Sequence, residues 1–90
     1  MAKRLRPSSD VVYQSLHGEV VLVHLQSNRI YALNGTGARL WQLLADGCDR
    51  AELERRLVAE FEIDPVDLSR EVGELLASLV NEGLVVEGEA

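Results

Sequence analysis

His17, His24 and Cys48 are the side chains of this 90-residue chain best suited to nucleophilic or metal chemistry. Neither histidine has a Cys, Asp or Glu at a spacing typical of a metal site or a nucleophile–base pair. His17 belongs with Gly18 to a tight turn, and His24 to a strand face or its rim. Cys48 follows a helix-ending glycine, and only Arg50 lies near enough in sequence to favour a reactive thiolate, so it reads as a structural or incidental thiol. Gly35-x-Gly37 lacks both the third glycine of a dinucleotide turn and the Lys-Ser/Thr of a phosphate loop. Catalysis therefore has little support, and neither a metal nor another cofactor is expected. Recognition remains, and the residues for it lie around that glycine pair.

Ile30-Tyr31-Ala32-Leu33 is β-branched, aromatic and apolar, whereas Ala38 to Ala45 carries helical spacing, so the period changes at Asn34. Asn34 or Thr36 is the expected helix cap, and Gly35 and Gly37 permit the turn. If the strand ending here lies at a sheet edge, its free N–H and C=O groups offer a template for an incoming peptide.

The elements that position this stretch follow from pattern. Val11 to Leu16 and Glu19 to Leu25 favour strands joined by His17-Gly18, and Gln26-Ser27-Asn28 turns the chain into a third strand, Arg29 to Leu33. The simplest arrangement is an antiparallel meander with the second strand central. That strand is apolar at both parities, so both sheet faces need at least partial cover, by helices on one side and by the N-terminal arm, chain association or a partner on the other. A first helix, Thr36 to Ala45, has Leu40, Trp41, Leu44 and Ala45 on one stripe, with Trp41 either in the core or facing a partner. Asp49 with Glu52 begins a second helix, whose inward residues are Leu53, Leu57, Val58 and Phe61. Asp64-Pro65 begins a third, with Leu68, Val72, Leu75, Leu76, Leu79 and Val80 on its stripe, and Asn81-Glu82-Gly83 ends it. Three strands followed by three helices make an α+β, winged helix-turn-helix-like layout.

The totals fit one domain spanning 1–90: 47% of its residues are hydrophobic, enough for a core without staples. Residues 1–9 read as a mobile arm that straightens into the first strand, and 87–90 as a frayed tail after Leu84-Val85-Val86 folds back. A single cysteine, no signal sequence and no long apolar span point to a cytoplasmic chain without a membrane partner. The net charge is −6, and from Phe61 onward only Arg70 opposes eight carboxylates, a surface that repels nucleic-acid backbones. Asp67, Arg70, Glu71 and Glu74 are either a solvated face or the rim of a groove that selects a partner by charge.

On these residues the chain resembles the PqqD-like peptide-recognition domains of ribosomal peptide biosynthesis. The resemblance is carried by Gly18-Glu19-Val20-Val21-Leu22, by Ile30-Tyr31-x-Leu33-Asn34-x-Thr36-Gly37-Ala38-x-x-x-Trp41, by Asp46-Gly47, and by Leu75-x-x-x-Leu79-x-x-x-Gly83-Leu84. It implies a non-catalytic binder that holds a precursor's leader segment as an added strand beside the third strand, in a groove walled by the third helix. By position, the leader backbone would lie against Asn28, Arg29, Ile30, Tyr31, Ala32 and Leu33, and its side chains against Val72, Leu75, Leu76 and Leu79, with the charged residues above at the rim. A stand-alone domain of this size is similar to those of lasso-peptide pathways, which implies a leader peptidase and a cyclase as partners. The alternative is a PqqD-type chaperone for a radical-SAM enzyme. From other classes, the rivals are a winged-helix nucleic-acid binder and a homodimerisation module that pairs with itself through the free edge.

Overall fold

His17 and Gly18 adopt positive φ angles of 46° and 81°, the backbone of a type I′ turn whose twist matches a two-stranded ribbon. In the computed structural model, which describes residues 3–89, this turn joins β2 (Val11–Leu16) to β3 (Glu19–His24), and β4 (Arg29–Asn34) follows on the other side of β3. The pairing runs without interruption from Val11 opposite His24 to Leu16 opposite Glu19, and from Glu19 opposite Asn34 to His24 opposite Arg29.

The turn also fixes which main-chain groups remain free. A two-residue hairpin closes on a hydrogen-bonded pair, here Leu16 and Glu19, and hydrogen-bonding direction alternates along each strand. Leu16, Gln14 and Val12 therefore bond to β3, and the 2.8 Å bond from Leu25 N–H to Asp10 O continues that phase. Tyr13 and Ser15 turn their N–H and C=O groups outward. By the same alternation Arg29, Tyr31 and Leu33 bond to β3, and the main-chain groups of Ile30 and Ala32 face the free edge of β4.

Three helices cover one sheet face: α1 (Gly35–Ala45), α2 (Arg50–Phe61) and α3 (Pro65–Asn81). Val20 and Leu22 from β3 meet Leu40, Trp41 and Leu43 of α1, Leu53 and Leu57 of α2 and Leu68 and Val72 of α3 in one buried cluster. Trp41 lies fully within it, edge-on to Tyr13 at 5.4 Å, so the core reading of this residue holds. The α2 and α3 starts are as the sequence implies. Asp49 accepts a bond from Glu52 N–H at 2.9 Å, and Asp64 accepts from Val66 N–H at 2.9 Å ahead of a proline in the first turn.

Several expectations need correction. Asn34 occupies the cap position of α1 but its side chain makes no cap bond; Gly35, at φ 54°, turns the chain instead. Phe61, placed inward from its period, is 39% exposed because α2 ends there, with Glu62 left-handed. The segments expected as a mobile arm and a frayed tail are paired. β1 (Lys3–Pro7) lies antiparallel to β5 (Val85–Glu89), and Ser8 N–H donates to Leu84 O at 2.9 Å. Met1, Ala2 and Ala90, which those expectations also covered, lie outside the described residues. Burial explains the pairing: Leu84 and Val85 are each 1% exposed, with Leu5 packed against the same core, and their main chain needs hydrogen-bond partners there. The sheet face away from the helices is thus left without the N-terminal arm, and Val12, Leu16 and Ile30 stand exposed on it.

Candidate functional site

β4 is an edge strand with α3 running beside it. Along α3 and onto its C-cap, Glu71, Leu75, Ser78 and Glu82 recur at three- and four-residue spacing, which keeps them on one face. Contacts at both ends show that this face looks toward β4. At one end the Tyr31 hydroxyl donates to Glu82 Oε2 at 2.8 Å, and Arg29 Nη1 donates to the same oxygen at 3.4 Å. At the other end a β-carbon built on Gly37 would stand 3.6 Å from Leu75 Cδ2 and 3.8 Å from Leu33. At this second end, a cavity of about 220 Å³ between α1 and the first half of α3 is lined by Thr36, Gly37, Leu40, Glu71, Val72 and Leu75 among others. Its floor is apolar, and Glu71 supplies an acidic rim.

The structure sorts the sequence candidates. Arg29, Tyr31 and Leu33 share the sheet face that meets α3, whereas Ile30, 71% exposed, and Ala32 lie on the opposite face with their main chain at the free edge. Asn28 sits in the turn before β4 at φ 59°. Leu75 and Glu71 border the cavity, and Val72 reaches it from the core. Leu79, 4% exposed, is a core residue. Leu76 belongs to the far side of α3, where it lines a separate depression of about 290 Å³ with Leu5, Leu44, Leu53 and Arg50. Asp67 and Arg70 face each other at 3.8 Å on the exposed surface, and Glu74 is exposed beyond the Glu71–Leu75–Glu82 line.

Sequence reasoning missed Glu82, Thr36 and Gly37 as groove residues, having read them as a helix end and a turn. The signal for Glu82 was its seven-residue step from Leu75, which continues the same face. Interaction with the Tyr31 phenol, and after it the charge of Glu82, raises the Arg29 guanidinium above its ordinary value. One Glu82 carboxylate oxygen thus accepts from both β4 residues. At 68% and 35% side-chain exposure, that ion pair is screened by solvent and adds little to stability.

Among the described residues no group of three or more His, Cys, Asp and Glu is gathered as a metal ion would need, and no helix is long and apolar enough to cross a membrane. The site is thus a main-chain edge beside an apolar, acid-rimmed groove, chemistry suited to an extended peptide.

Comparison with known proteins bears on that geometry. The chain superposes on the structure described as TbiB1 in complex with the TbiA(beta) leader peptide with a TM-score of 0.86 and 32% identity, over 89% of this chain and 93% of that one. It superposes on a lasso peptide synthetase B1 complexed with the leader peptide with a TM-score of 0.84 and 26% identity, over 92% and 98% respectively. No curated protein sequence matches it. The family model described as coenzyme PQQ synthesis protein D (PqqD) matches residues 19–85. That span runs from the start of β3 through both walls of the groove to the start of β5, and the chain belongs to the PqqD family.

Proposed function

We propose that this chain captures the leader segment of a ribosomally made precursor peptide as a fourth strand along β4 and presents it to modifying enzymes without catalysing a reaction itself. The observation that carries this reading is the free edge of β4 opposite the Glu71–Leu75–Glu82 face of α3. The outward main-chain groups of Ile30 and Ala32 supply hydrogen bonds that are nearly blind to sequence, and the cavity between Gly37 and Leu75 supplies selectivity for an apolar side chain. Every second leader residue enters the groove, and its neighbours extend the outer face beside Ile30.

The two structural relatives were solved with leader peptides, which supports a lasso-type assignment, with a leader peptidase and a cyclase as recipients. An interface at the small end of specific contacts corresponds to a Kd of about 10 nM to 1 μM, roughly −8 to −11 kcal/mol.

The test is a titration of fluorescently labelled leader, taken from the precursor gene nearest the chain's own, against wild-type protein and Ala32→Pro. Proline removes an N–H that faces the free edge and leaves the β3 ladder in place. About tenfold weaker binding is expected for the variant, the equivalent of one charge-free hydrogen bond. Unchanged affinity in a variant shown to be folded would refute strand addition at this edge.

A further inference from the structure

The sheet has a second free edge, β2, whose chemistry differs from that of β4. Natural edge strands are usually guarded by charge, proline, a bulge or a covering segment. Val11-Val12-Tyr13-Gln14-Ser15-Leu16 has no charged residue and no proline, and its ladder with β3 is unbroken. Val12, Tyr13 and Leu16 are 50%, 45% and 47% exposed. Residues 3–7, which precede this strand and would be its natural cover, are taken up by β5.

We propose that the β2 edge pairs antiparallel with the β2 edge of a second copy of this chain, about a two-fold axis that passes between the two Gln14 residues. The register follows from three conditions. A two-fold axis normal to the sheet keeps like faces together, so residues of the same face must stand opposite one another. The main-chain groups that bond must be the outward ones, Tyr13 and Ser15. The exposed apolar residues must meet each other rather than a charge.

Centring on Gln14 meets all three. Tyr13 stands opposite the second copy's Ser15, twice, each pair exchanging both of its hydrogen bonds. Val12 then faces the second copy's Leu16, also twice, in non-hydrogen-bonded pairs, where side chains approach most closely. Gln14 meets Gln14 amide to amide. Centring on Tyr13 instead sets Leu16 against Asp10 and fails the third condition.

The pairing makes a six-stranded sheet whose exposed outer faces, with Val12, Val21, Val23 and Ile30, run on from one copy to the next. Both β4 edges remain open at its outer margins, so self-association and peptide capture do not compete. A contact of one strand edge lies below the size of stable dimer interfaces, so the dimer is weak and depends on concentration.

Sedimentation velocity of the full chain over a hundredfold concentration range should show the mean mass rising from monomer toward dimer. In a Cys48→Ser background, Gln14→Cys should oxidise to a disulfide-linked dimer, because the two thiols meet on the axis, whereas Ala32→Cys on β4 should stay monomeric. Leu16→Lys, with unchanged circular dichroism, should weaken the dimer at least tenfold and leave leader affinity as it was. Monomer at every concentration would overturn the proposal, as would a dimer indifferent to Leu16→Lys or one dispersed by saturating leader peptide. Failure of leader binding alone leaves this pairing standing, since no step of it uses β4.

Discussion

The two edges of the β2–β3–β4 sheet offer the same main-chain chemistry in opposite surroundings. β4 runs beside α3, so a strand added there meets a helix, a cavity and a row of carboxylates before its hydrogen bonds are complete. β2 carries no such wall, and exposed Val12, Tyr13 and Leu16 put hydrophobic side chains on both of its faces beside the polar Gln14 and Ser15. Among the described residues each edge strand is tied to the helices by a polar bridge. On β4 it is Arg29 and Tyr31 with Glu82; on β2 it is a relay from Glu60 through Arg39 and Gln42 to Ser15. Hydrogen bonds alone do not choose a guest; the wall beside the edge does. A walled edge is selective, and an unwalled one suits a partner that brings an identical edge.

The largest expected effect tests where that wall begins. Leu75 and Leu76 are neighbours in sequence, yet Leu75 is half-buried against the groove and Leu76 is 4% exposed on the other side of α3. Leu76→Asp puts an unpaired carboxylate into the core, at a cost of about 3–5 kcal/mol, and should leave most of the chain unfolded by circular dichroism. Leu75→Asp should remain folded and lose leader binding by about tenfold to a hundredfold in the labelled-peptide titration, more than Glu74→Ala, whose side chain stands off the groove line. If Leu75→Asp binds as wild type does, the wall plays no part in selection and the distinction between the edges fails.

How much of this was legible in the sequence depends on the range over which each feature is decided. Asp49 with Glu52, Asp64 with Pro65 and His17 with Gly18 are local signals, and each element they predict is present. The pairing of residues 3–7 with 85–89 joins opposite ends of the chain, and no local pattern encodes it. The apolar stripe of α3 identified the helix but not its rotation. Leu75 and Leu76 both satisfy the period, and only packing of α3 against Leu40, Leu53 and Leu57 decides which one borders β4. The same rotation brings Glu82 under Tyr31, a placement that a helix-end reading of Asn81-Glu82-Gly83 does not contain. For this reason the edge strand was readable and its wall only in part.

A smaller effect sharpens the contrast without charge. A β-carbon on Gly37 would rest at ordinary contact distance from Leu75 and Leu33, with room for it in the free protein. Gly37 is also in the first turn of α1, where alanine is the better helix former by up to about 1 kcal/mol. Gly37→Ala should therefore raise the urea midpoint slightly while occupying the groove floor and weakening leader binding severalfold. Self-association through β2 should not change. Opposite signs for stability and binding in one variant would separate the groove from the fold, whereas parallel losses would mean that Gly37 serves only the strand-to-helix turn.

The smallest effect concerns the bridge behind β2. Hydrogen bonding from Arg39, at 2.8 Å and 3.2 Å, holds the Glu60 carboxyl below its ordinary value of 4.5. Because the folded-state value is the lower one, the unfolded chain binds this proton more readily. The contribution to stability is therefore complete above about pH 4.5 and disappears as pH falls through the folded value. Both partners are partly open to solvent, so the effect is small. Wild type should be slightly more stable than Glu60→Gln in urea denaturation near pH 7, and the two curves should converge as the pH falls below the folded value. A gap that persists in acid would mean that Glu60 supports the helices through packing rather than charge. In that case the Arg39–Gln42–Ser15 relay would hold β2 in place without it, and the two edges would differ in their bridges as well as in their walls.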